Sequence, residues 1–280
     1  MTLGPRDLRA YLARLGVRPG PDGPVAATAA TLRLLHERHL RRVPFENLDV
    51  IARRRLSYDL RDLFDKIVVR RRGGWCLETN WLLGHVLTGL GFPVEFIGAG
   101  VANRGGFKHD LSHLLLLVRA GNTAHLADVG FGGGGYAEPL PARPGVHEQA
   151  TGSYLVEADG DRLIVARQNG GAWQAMYRCA PLRPRHITDF AATSDFHELS
   201  AESPFNTAPH CTRLTPEGWA VVSGDRLELR SDRTRAYALT DPALRAAVLA
   251  WVLHDAPRPP LGREEHSTIE RARESHAGSQ

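Results

Sequence analysis

The hydrophobic period of this chain changes at Pro93. Through the first ninety residues apolar side chains recur at helical spacing; after Pro93 they gather into short runs separated by Gly, Asn and Asp, the punctuation that antiparallel hairpins require. That order predicts an α+β protein with its helices first and its strands after. With 280 residues, 42% of them hydrophobic, the chain can bury the core of one large domain or of two to three small ones.

Residues 31–42 read as a helix with Leu32, Leu35 and Leu40 apolar, ended by Pro44, which restricts the residue before it. A second helix starts at Asp59, whose carboxylate can cap free N–H groups, and Leu60, Leu63, Phe64, Ile67 and Val68 share one face. Its expected last turn is Arg70-Arg71-Arg72, a solvated helix end, and Gly73-Gly74 stops it. The third helix, 76–90, is apolar nearly all round, so it belongs in the core; Gly91 closes it. Strands are expected at 95–101, 114–118, 124–129, 153–158 and 163–167. From 188 the pattern is mixed: a loop-like stretch to 210, a strand pair over 219–229, a helix over 241–253, and a tail of disordered composition from 257.

No run approaches the roughly 18 apolar residues of a membrane helix, and the opening MTLGPRDLRAYLARLG lacks a secretory apolar core, so a cytoplasmic location with no membrane partner is expected. A net charge of +4 and a pI of 9.2 are too small an excess to argue for nucleic acid. Cys76, Cys179 and Cys211 form no C-x-x-C pair, which points to free thiols rather than a disulfide framework or zinc ribbon.

Cys76 stands at the predicted start of a helix, two residues after a double glycine. Exposed N–H groups and the positive dipole end there favour a thiolate, and the glycines leave room for a substrate to approach the sulfur. Alone, such a cysteine reads more simply as a buried core residue. Its partners decide the matter. His113 precedes the apolar run 114–118, Asp128 ends the next run, and Arg119-Ala120-Gly121-Asn122 between them signals a turn. Folded as a tight hairpin centred between Ala120 and Gly121, the segment sets His113 opposite Asp128. A carboxylate on one imidazole nitrogen fixes the tautomer and leaves the other nitrogen to take a thiol proton. A rival set, His109, Asp110 and His113 as zinc ligands, needs a helix before five β-prone residues, so no metal is expected. Glu46 and Glu78 read as structural carboxylates, Cys179 and Cys211 as packing residues.

The segment Arg72-Gly73-Gly74-Trp75-Cys76-Leu77-Glu78-Thr79-Asn80 resembles the R-G-G-x-C-x-E-x-N signature of the arylamine N-acetyltransferases. Val43-Pro44-Phe45-Glu46-Asn47-Leu48 is similar to that family's I-P-F-E-N-L segment, Ser112-His113-Leu114 to its catalytic histidine strand, and Asp128-Val129-Gly130-Phe131-Gly132-Gly133 to its D-V-G-F-G-G. The resemblance covers about the first 150 residues in order and thins beyond them. It implies an N-terminal helical bundle (1–92), a central antiparallel β-barrel (93–195) and a C-terminal α/β lid (196–280), with a core like that of the cysteine proteases. It also implies a catalytic triad of Cys76, His113 and Asp128, with Phe45, Phe131 and Gly132 bordering the substrates.

The reaction so implied is ping-pong: acetyl-CoA, a co-substrate and not a bound cofactor, acylates the cysteine, and an aromatic amine or hydrazine takes the acyl group. Members of the same fold that act as amide synthases, releasing a polyketide from a carrier protein, form the alternative. A thiol hydrolase or a non-catalytic binding module stands further off. Whether the protein is a monomer or a dimer is left open.

Overall fold

The computed structural model describes residues 3–18, 25–231, 233–262 and 264. Helices α1 (Pro5–Arg14) and α2 (Ala29–Arg42) lead to a two-residue strand β1 (Phe45–Glu46), a single turn α3 (Leu48–Ile51), α4 (Leu60–Phe64) and α5 (Cys76–Gly89). Strands β2 (Val94–Asn103), β3 (Gly106–Phe107), β4 (His113–Ala120), β5 (Thr123–Ala127), β6 (Leu140–Pro141), β7 (Gly145–Gln149), β8 (Gly152–Asp159), β9 (Arg162–Asn169) and β10 (Ala172–Pro184) follow. After α6 (Ala191–Leu199) come β11 (His210–Thr215), β12 (Gly218–Ser223), β13 (Arg226–Arg230), β14 (Thr234–Ala238) and α7 (Pro242–His254).

Strands β2 to β10 form one antiparallel sheet whose path runs β6-β5-β4-β2-β10-β9-β8-β7. Its two edges, β6 and β7, are joined by only residues 142–144, so the sheet curls into a nearly closed barrel. The five-residue apolar run 114–118 has its explanation here. Leu115 and Leu117 fill the barrel with Ile97, Tyr154 and Tyr177, while Leu116 and Val118 face Leu82, Leu83 and Val86 of α5. A strand buried on both faces reads as continuous, not alternating, hydrophobicity. Helix α5 lies in the core as expected, and Gly84 lets it settle on β2, since a Cβ there would sit 2.3 Å from the Phe96 ring.

The second sheet, ordered β1-β11-β12-β13-β14, captures β1 through the pairs Phe45↔Thr212 and Glu46↔Cys211. Helix α7, capped by Asp241, covers it with Val248, Trp251 and Val252. Both remaining thiols are packing residues: Cys179 lies in the barrel core, where burial pushes its thiol up to about 12, and Cys211 lies under α7. Among the described residues no helix is long and apolar enough to cross a membrane.

Three expectations need correction, and a fourth is largely untested. The helix capped by Asp59 changes at Asp65 into a π-helical turn ending at Val69, Arg71 has a positive φ of 55°, and Arg72 is no helix end. The β4–β5 hairpin pairs Ala120 with Thr123, so its turn is Gly121-Asn122 and Asp128 falls beyond the last paired residue. The loop-like stretch after 188 contains α6, whose buried face is Thr193, Ser194 and His197, polar residues that give no apolar period. The tail expected from 257 lies largely outside the described residues; Arg258 within it stacks on Trp251 and pairs with Glu217.

Candidate active site

Cys76 is the first residue of α5. The turn before it is fixed by Glu78, which accepts the Trp75 N–H at 3.1 Å and two hydrogen bonds from Lys66 Nζ at 2.7 and 2.9 Å. Lys66 also meets Asp49 at 2.8 Å, Asp49 meets Arg72 at 3.1 Å, and Arg72 Nε and Nη2 both reach Glu46 Oε1, at 3.0 and 2.6 Å. Glu46 and Glu78 are therefore structural, as their setting implied, and Arg72 is bound into this network instead of being solvated. Burial alone would weaken the Lys66 ammonium, but Glu78 and Glu46 hold its pKa above the ordinary lysine range.

The double glycine serves the chain's own backbone. Gly74 bridges Phe45, its carbonyl accepts the Glu46 N–H at 3.1 Å, and a Cβ on Gly73 would fall 2.1 Å from the Pro44 carbonyl oxygen. The glycines thus make room for residues 44–46 where space for a substrate was expected.

His113 opens β4 and is buried. Its Nε2 meets Asp128 Oδ2 at 2.7 Å, which leaves Nδ1 as the ring nitrogen not engaged by the carboxylate. Burial alone would make this imidazole less basic; Asp128, followed by Cys76, outweighs it and raises the pKa to about 10. The register shift explains how the pair forms. Extending the observed pairing sets Asp128 opposite Leu115, two residues along from His113 and so on the same face, and diagonal neighbours of that kind are within reach of long side chains.

Asp128 Oδ1 accepts from Asn80 Nδ2 and from the Gly130 N–H, both at 2.9 Å. Although burial opposes ionisation, His113 and these donors hold its carboxyl below the usual range. Its own N–H donates to His36 Nε2 at 3.0 Å, while His36 Nδ1 donates to the Ala137 carbonyl at 2.8 Å; burial lowers this histidine's pKa to about 4 and keeps it neutral. Gly130 passes so close to the start of α5 that a Cβ would lie 2.5 Å from Cys76 Cα. The structure therefore gathers all three expected residues. Residues 109–113 form a turn entering β4, and Asp110 pairs with Arg162, so His109 and His113 share no helix face.

A family model described as N-acetyltransferase matches residues 28–251. Arylamine N-acetyltransferase 2 of Macaca mulatta is 31% identical over 80% of this chain and 83% of its own. The chain belongs to the arylamine N-acetyltransferase family. Among solved structures, the Nocardia farcinica arylamine N-acetyltransferase superposes with a TM-score of 0.79 at 31% identity over 90% of each chain. The Mycobacterium marinum enzyme in complex with CoA does so with a TM-score of 0.79 at 29% identity, over 87% of this chain and 90% of that one. The protein is accordingly an acyltransferase.

In this arylamine N-acetyltransferase family member the residues expected to border the substrates have different neighbours. Phe131 stands edge-on to His113, centroids 5.7 Å apart, and against Tyr177. Phe45 packs instead against Phe205 and His210, with Gly132 under its ring. His210 Nε2 and Thr212 Oγ1 both hold the Gly132 carbonyl. Sequence reasoning missed Asn80, His36, Tyr177 and the aromatic wall of Trp75, His197 and Phe205. A signal existed for Asn80, which lies four residues after Cys76 and hence on the same helix face.

Proposed function

We propose that the protein transfers an acetyl group from acetyl-CoA to an aromatic amine or hydrazine by a ping-pong reaction through acyl-Cys76. His113, held by Asp128 at 2.7 Å, with the Asp128 loop passing against Cys76 at Gly130, is the observation that carries this reading. His113, made strongly basic by Asp128, already holds the proton that Cys76 gives up, and the sulfur attacks the thioester carbonyl. Collapse of the tetrahedral intermediate expels the CoA thiolate, which recovers the proton from His113. The amine then attacks the acyl-enzyme, gives its proton to His113 and leaves as the amide, returning Cys76. Backbone N–H groups in the first turn of α5, beside Cys76, are the donors we assign to the oxyanion. Cys76, His113 and Asp128 are the catalytic residues; Phe131, Gly132 and Phe45 flank the acyl donor and acceptor.

Intact-mass measurement after mixing the protein with acetyl-CoA tests this. An acetyl-sized gain, absent in Cys76→Ala and discharged by an arylamine, is expected. No gain with acetyl-CoA, together with acylation from a carrier-bound thioester, transfers the assignment to an amide synthase; release of free acid alone transfers it to a hydrolase.

A further inference from the structure

The positive charge of this chain is not spread evenly. Two adjoining cavities lie where α1, α2, the turn before Gly73 and the end of α7 meet. The first, of about 230 Å³, is lined by Arg14, Arg42, Arg70, Arg71 and Arg213. The second, of about 370 Å³, is lined by Arg38, Arg41 and Arg258 and shares Arg42, Arg213 and Asp255 with the first. Neither is lined by Cys76, His113 or Asp128.

Counter-charges are short there. Asp255 serves two cations at once, Arg213 at 2.6 Å and Arg42 at 3.3 Å. Arg41 pairs with Glu37, Arg70 with Asp65 and Arg258 with Glu217. Arg14, Arg38 and Arg71 have no carboxylate within ion-pair distance among the described residues. Eight guanidinium groups against four carboxylates leave four positive charges, as many as the formal excess of the whole chain.

Arg14 is only 6% exposed and donates to the Ile67 carbonyl at 3.1 Å and the Arg71 carbonyl at 3.3 Å. Burial, then the cations of Arg71 and Arg42, lower its pKa to about 10. A buried cation among other cations, with no anion of its own, is unfavourable as it stands. Two residues of the first cavity, Arg71 (φ 55°) and Asp255 (φ 59°), also hold a left-handed backbone, found at one other non-glycine position among the described residues. Strained backbone of this kind gathers at ligand sites.

We infer that the paired cavities bind a diphosphate group, held by Arg71 in the first, Arg38 in the second and Arg42, which lines both. A diphosphate brings about three to four negative charges near neutral pH, and its oxygens suit the planar fork of a guanidinium. Free pyrophosphate and a nucleoside diphosphate share this chemistry. The site is separate from that of the acyl donor and stands whether or not Cys76 is acylated.

Calorimetric titration of the full chain at fixed ionic strength, with pyrophosphate, orthophosphate and uridine diphosphate as probes, tests this. Arg71→Gly removes a guanidinium while easing the left-handed backbone, and Arg38→Gln changes an exposed helix position. Arg33→Ala, which lines neither cavity, is the control. Pyrophosphate should bind saturably, about tenfold more weakly in Arg71→Gly and in Arg38→Gln and unchanged in the control, with urea titration showing both variants folded. Uridine diphosphate bound as tightly as pyrophosphate assigns the site to nucleotide esters; uridine diphosphate bound more weakly assigns it to the free anion. Four results would each overturn the inference: no binding, a loss equal in the control, orthophosphate bound as tightly as pyrophosphate, or a raised KM for acetyl-CoA in Arg71→Gly, which would make the site part of the donor's seat.

Discussion

Asn80 Nδ2 meets Asp128 Oδ1 at 2.9 Å, and the same carboxamide accepts the Val129 N–H at 2.9 Å and donates to the Leu114 carbonyl at 2.7 Å. One side chain on the helix of Cys76 thereby fixes both the strand that carries His113 and the loop that carries Asp128. Replacing it frees three buried groups at once. Asn80→Ala is expected to cost about 1–3 kcal/mol in a urea titration. It should also slow the acylation of Cys76 by a larger factor than that of any surface variant, because geometry as well as stability is lost. An acylation rate equal to the wild type's would show that the clamp is dispensable.

The folded-state pKa of His113, about 10 against an ordinary 6.5, fixes the sign of a pH effect. A raised pKa contributes stability that is fully present below pH 6.5 and is lost as pH climbs through 10. Asp128 acts oppositely at the acid end: its lowered carboxyl contributes stability above pH 3.8 that disappears as pH falls below. The stability difference between the wild type and His113→Gln should therefore shrink between pH 7 and 10. A difference that stays flat over that range in denaturant titrations would be incompatible with the pairing.

How much of this was legible beforehand depends on how local each signal is. Cys76, His113 and Asp128 carry distinctive chemistry at spacings a hairpin and a helix start can explain, and the structure brings them together. The hairpin register was misplaced by two positions, yet a shift by two leaves side chains on their original face, so the pairing of His113 with Asp128 survived the error. Arg72 was misread because its partners, Glu46 and Asp49, lie more than twenty residues upstream, and no local pattern reveals such a link. Helix α6 escaped notice because Thr193, Ser194 and His197 form its buried face.

Breaking the ion network beneath the cysteine should be costly. Lys66 and Glu78 are both buried, so Lys66→Ala leaves carboxylates without their counter-charge, with an expected penalty of about 3–5 kcal/mol. The double variant Lys66→Met with Glu78→Gln removes both charges and should recover part of that loss. Chemical denaturation of the three proteins gives the comparison; if the double variant is no better than the single one, charge imbalance is not the cause.

Gly130→Ala isolates the close approach of the Asp128 loop to the helix start. A Cβ 2.5 Å from Cys76 Cα meets backbone, which cannot swing aside. The expected outcome is a folded protein whose acylation rate falls about a hundredfold, since a displacement of roughly 1 Å is enough to cost that much. Near-wild-type acylation would mean that the loop relaxes elsewhere.

The bridge from Gly74 to Phe45, and from Phe45 on to Thr212, ties the reactive loop to a strand that is synthesised late. A chain still on the ribosome has Cys76 but neither β11 to complete this seat nor, until residue 128 has emerged, the carboxylate that orients His113. The surroundings of Cys76 are thus completed by residues made well after it, Asp128 first and β11 last, and a copy that stops short of residue 210 lacks the strand that pairs with Phe45.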